Sequence, residues 1–115
     1  MGEKLKKYQH KELANGRWAE MSFCEQMANV GSEIERTIKW MEKNNPEYSQ
    51  KSLERALELL QLTINVVPKK TYLKELTRLR EVILDFFMGE NVYQTTTSFL
   101  RKYFYYFNFS VRKAL

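Results

Sequence analysis

One cysteine, Cys24, and one histidine, His10, are all that this 115-residue sequence offers for nucleophilic or imidazole chemistry. A catalytic thiolate needs a base within hydrogen-bond reach, ordinarily histidine. Cys24 falls within an apolar stripe, whereas His10 sits in a basic N-terminal stretch, so Cys24 reads as a small buried hydrophobe. Di-iron bundles require Glu-x-x-His on paired helices, and none occurs. There is no glycine-rich phosphate loop and no cysteine pair at metal-ligand spacing. Glu33, Glu81 and Asp85 are the residues from which a carboxylate-only site would be built, but nothing in them selects a metal. No cofactor and no small-molecule substrate are expected, and a non-enzymatic role is.

A second pattern is polar. Ser22, Gln26, Asn29, Glu33, Arg36 and Trp40 recur at intervals of three and four, parallel to an apolar stripe. A plain solvated face would favour Lys and Glu over amides. Such a register suits a satisfied network inside a bundle or at a helix seam. Arg78, Glu81 and Asp85 supply an answering face, so Glu33 and Arg36 are expected to meet Arg78 and Glu81 across a helix pair. The alternative is two exposed faces with local ion pairs, each worth ~0.3–0.5 kcal/mol.

The third pattern is aromatic. Residues 103–109 hold six aromatics in seven positions, and ten of the chain's sixteen lie at or after Phe86. On a helix, Tyr103, Phe104, Phe107 and Val111 enter the core, while Tyr105, Tyr106 and Phe109 are left over. Exposed apolar patches mark interfaces, so a homodimer or protein-partner surface is one reading. Interleaving with Arg101, Lys102, Arg112 and Lys113 also permits base stacking with phosphate contact. The third reading is that these rings simply close the bundle.

The elements that position these groups follow from hydrophobic spacing. Phe23, Met27, Val30, Ile34, Ile38 and Met41 predict one helix over residues 17–43, starting near Asn15–Gly16 and stopping at Asn44–Asn45–Pro46. At ~1.5 Å per residue it would run about 40 Å, two turns longer than its partners. Ser49 is the expected cap of a second helix on Leu53, Leu57, Leu60 and Ile64, with Leu59 and Leu62 outside that stripe. Thr71 is the expected cap of a third, on Tyr72, Leu76, Leu79, Ile83 and Phe86, closed by a left-handed Gly89. A fourth starts near Thr95–Ser98. Short connections make antiparallel neighbours, hence an all-α, four-helix up-and-down bundle with a long first helix over residues 15–115, preceded by a basic arm at 1–14.

Composition agrees. One domain is all that 115 residues accommodate, and 43% hydrophobic with 29% charged residues is globular. The net charge of +5 divides into +3 over residues 1–17, −2 over 18–90 and +4 thereafter, the last acid being Glu90. Basic ends suit a nucleic acid or an acidic partner, or serve solubility. A lone cysteine fits a reducing, cytoplasmic setting, and no apolar run is long enough to span a membrane.

Four strings carry a resemblance: Arg17-Trp-Ala-Glu-Met-Ser-Phe-Cys-Glu-Gln-Met-Ala-Asn-Val-Gly-Ser-Glu, Arg55-Ala-Leu-Glu-Leu-Leu, Leu79-Arg-Glu-Val and Tyr103-Phe-Tyr-Tyr-Phe. Together they resemble a group of short hypothetical prokaryotic helical proteins over residues 15–113, which implies a compact helical protein and no activity. The layout also looks coarsely like HEPN-type bundles. Their ribonuclease signature, Arg followed several residues later by His, is missing: His10 is the only histidine and no Arg precedes it. The expectation is a non-enzymatic self-association or protein-docking module using the first and last helices. A nucleic-acid accessory protein is the alternative.

Overall fold

The structure, a computed structural model, describes residues 16–67 and 69–114, with side chains up to Ser110. The expected arm at 1–14 and the side chains of Arg112 and Lys113 lie outside the described residues. Within them the chain forms five helices and no strand: α1 (Trp18–Glu20), α2 (Phe23–Glu42), α3 (Pro46–Val66), α4 (Lys70–Met88) and α5 (Thr97–Ala114).

The expected continuous first helix is broken. Met21 and Ser22 are extended, and the Ser22 hydroxyl accepts from the Glu25 amide at 3.1 Å, starting α2 afresh. Ser22 also donates to the Glu25 carboxylate at 3.0 Å. The run Ser22-Phe23-Cys24-Glu25 is a capping-box sequence, and its local hydrogen bonds win over the apolar periodicity that carries on through it. The four long helices are therefore nearly equal, at 20, 21, 19 and 18 residues, and the first has no overhang.

Other ends differ too. α3 begins at Pro46 with Asn45 accepting from the Tyr48 amide, while Ser49 instead donates to the Thr37 carbonyl on α2. Pro46 sits at the first helical position, where its missing N–H costs nothing. Lys69, not Thr71, precedes α4, with no side-chain cap. Gly89 closes α4 in an extended conformation; the left-handed residues nearby are Asn91 and Gln94.

Paired contacts give the directions. Thr37 meets Ser49 and Glu33 meets Arg55, so α2 and α3 run antiparallel. Phe23 meets Phe107, Gly31 meets Phe104 and Glu35 meets Arg101, so α2 and α5 are antiparallel as well. Met27, Val30, Ile34 and Ile38 of α2 are buried as their spacing requires, whereas Met41 is exposed. On α3 the buried stripe is Leu53, Ala56, Leu59, Leu60, Leu62 and Thr63; Leu57 and Ile64 sit at its flank. Leu59 and Leu62 are thus core residues, because α3 packs against α1 and α4 as well as α2. α4 buries only Leu76, Leu79 and Ile83. Among the described residues no helix is long and apolar enough to cross a membrane.

Candidate functional site

The polar stripe of the first helix divides once it folds. Gln26 is buried, and its amide donates to the carbonyls of Trp18 at 2.8 Å and Met21 at 3.3 Å. It bonds the backbone groups freed by the break between α1 and α2. Asn29 is exposed and turns back onto the Glu25 carbonyl at 2.8 Å. Glu33 is buried, with its carboxylate held by Arg55 of α3 at 2.7 Å and by Arg36 one turn along. Arg55 also reaches Ser52 at 3.4 Å.

The expected meeting of Glu33 and Arg36 with Arg78 and Glu81 does not occur. Arg78 lies over the Tyr93 ring at 5.6 Å, and Glu81 accepts from the Tyr93 hydroxyl at 3.2 Å. Asp85 accepts from the amides of Val92 at 2.8 Å and Tyr93 at 3.0 Å. These three residues shape the loop before α5. Glu33, Glu81 and Asp85 consequently do not converge, and no cluster of three metal-ligating side chains exists among the described residues. Periodicity located both polar faces; it could not say which helix stood opposite, because that depends on helix rotation about the common core.

α5 carries the aromatic segment as a helix. Leu100, Phe104 and Phe107 are buried, and Tyr103 is half-buried against both rings. Tyr105, Tyr106 and Phe109 project outward, joined by Phe99, which sequence reasoning did not single out. Its position one turn before Lys102 and two before Tyr106 was the available signal. Lys102 is exposed on the same face. Arg101 is not a free cation: it grips Glu35 through Nε at 3.0 Å and Nη2 at 2.9 Å, and Glu42 through Nη2 at 3.2 Å. These hydrogen bonds hold its charge firmly, well above the ordinary arginine pKa. The bidentate pair ties α5 to α2.

No family model, no curated protein and no solved structure matches this chain. What the surface can do is therefore read from its own chemistry.

The Tyr103 hydroxyl donates to Glu75 of α4 at 3.1 Å. Burial, and then the Glu75 charge beside it, push its pKa well above the ordinary tyrosine value. The fold thus favours the neutral phenol. That contribution is whole below the unfolded tyrosine pKa of about 10 and is lost as pH rises through it toward the folded value. Melts taken from pH 8 to about 11.5 are expected to show a steeper alkaline decline in the parent protein than in Tyr103→Phe. Parallel declines would remove the assignment.

Proposed function

We propose that this chain is a non-enzymatic self-association module, an up-and-down four-helix bundle that pairs with a second copy through the outward face of α5. One observation carries the reading. Phe99, Lys102, Tyr106 and Phe109 are spaced 3, 4 and 3, a pattern that reads the same in both directions. The three rings are 53%, 65% and 52% exposed.

A two-fold interface places each patch against itself. Two antiparallel copies of α5 crossing at residue 104 put Phe99 opposite the partner's Phe109. They also put Lys102 opposite the partner's Tyr106, a cation–π geometry. The two lysines then avoid each other. Aromatic residues bury about 150–250 Å² apiece, so the three half-exposed rings leave a few hundred square ångströms to cover. That is a substantial share of the ~800 Å² per partner in a standard interface. The outward face of the first long helix contributes less than its pattern suggested, since Gln26 and Glu33 are spent on internal contacts.

The test is molar mass by light scattering at tens of micromolar. The parent should run at about twice its 13.8 kDa monomer mass. Tyr106→Lys sets two like charges opposite at two symmetric positions and should give monomers. Adding Lys102→Glu to that variant restores opposite charges across the pair and should bring the dimer back. A parent that stays monomeric overturns the reading, and so does a Tyr106→Lys protein that remains dimeric.

A further inference from the structure

The flank of the α2–α5 seam holds a groove of about 350 Å³, within the range of small-ligand sites. Ser32, Glu35, Arg36 and Lys39 line it from α2, and Arg101, Tyr105 and Asn108 from α5. The two arginines are held rather than neutral. Arg36 gives Nη1 to Glu33 and leaves its remaining N–H groups on a side chain 61% exposed. Arg101 gives Nε and Nη2 to Glu35 and Glu42, leaving Nη1. Lys39 is exposed and in no ion pair among the described residues. With Arg55 counted against Glu33, the charged groups leave an excess of one positive charge. At the rim stands the Tyr105 ring, exposed to solvent and backed by Phe109 at 6.3 Å and 29°.

We infer that this groove binds single-stranded nucleic acid, taking a phosphate on Lys39 and Arg36 and a base against Tyr105. Guanidinium groups fixed on one side by carboxylates present their other donors preorganised, which suits phosphate oxygens. A ring face beside that cation set accepts any base, so recognition is by stacking and charge rather than by sequence. Ser32 and Asn108 add polar contacts at the sugar level. The hydroxyl of Ser32 donates to the Ala28 carbonyl and keeps its acceptor capacity. This site goes beyond the self-association reading, and Lys39 and Tyr105 lie outside the symmetric set of that interface.

Fluorescence anisotropy with labelled oligo-U and oligo-dT of about ten nucleotides, at roughly 50 and 200 mM salt, tests it. Binding should weaken as salt rises. Lys39→Glu and Tyr105→Ser should each weaken it about fivefold or more, in proteins whose helical circular dichroism is unchanged. Lys74→Glu makes the same charge change on α4, away from the groove, and should have less than a roughly twofold effect. The inference is overturned by a parent protein that binds neither oligomer at low salt. A Lys74→Glu loss equal to that of Lys39→Glu overturns it as well. So does tripolyphosphate binding as tightly as oligo-U with Tyr105→Ser without effect, which leaves an anion site with no base. The mass measurement on the same samples reads self-association separately.

Discussion

Trp18→Ala is expected to lower the thermal midpoint by more than about 10 °C, at ~3–5 kcal/mol for a lost buried indole and ~4 °C per kcal/mol at this chain length. Trp18 is 2% exposed and belongs to the central core. Its Nε1 donates to Thr63 Oγ1 at 2.9 Å, and Thr63 donates onward to the Leu59 carbonyl at 2.9 Å. Trp18 is also the only buried side chain of α1, which is otherwise tied down by the Gln26 amide on the Trp18 carbonyl. The carbonyl that Gln26 binds is backbone and is kept in Trp18→Ala, but α1 without its buried indole can shift away from that 2.8 Å contact and leave the Gln26 amide with the longer one to Met21. The effect therefore spreads from α1 into α2. Trp18→Phe keeps most of the apolar volume and gives up the N–H donor, so a smaller loss is expected, ~1–2 kcal/mol. Melts followed by circular dichroism check the series. An unchanged midpoint in Trp18→Ala would make α1 an appendage rather than part of the core.

Gly31→Leu is expected to cost as much or more, and Gly31→Ala to destabilise by about 1–2 kcal/mol. Both run against helix propensity, which favours replacing a mid-helix glycine by up to ~1 kcal/mol. The reason is the α2–α5 contact. A Cβ on Gly31 would stand 2.7 Å from Phe104 Cβ and 3.0 Å from its ring carbons. Phe104 is buried beside Leu100, and its Cβ is fixed to the α5 backbone, so the helix itself must move away. Moving α5 strains the Arg101 contacts to Glu35 and Glu42 that hold the same pair of helices. Urea unfolding of the three proteins gives the values directly. A more stable Gly31→Ala would show that α2 and α5 have room between them, against the close approach.

Hydrophobic spacing of threes and fours was enough to place the four long helices and most of their core. Met27, Val30, Ile34 and Ile38 could be named as buried from the sequence alone, as could Phe104 and Phe107 in a segment whose propensity leans to strand. The outward direction of Tyr105, Tyr106 and Phe109 was legible for the same reason: the period of the α-helix converts sequence position into angle. The break at Met21–Ser22 was legible too, in the Ser22–Glu25 capping sequence, but a long apolar stripe masks a local stop when periodicity alone is followed.

What the sequence by itself determined is thus the helical class and the buried face of each long helix; the helix ends, with the fresh start at Ser22, the Asn45 cap and the extended Gly89, came out only in the fold. The tertiary structure decided the partners. Glu33 found Arg55 rather than Arg78, Gln26 found the backbone at a helix break, and Arg101 was drawn into an ion pair with Glu35 and Glu42. Each outcome follows from which helices lie side by side and how each is rotated about its axis. Apolar burial, which is non-directional, sets those choices. The polar groups then pair with whatever that packing brings within reach.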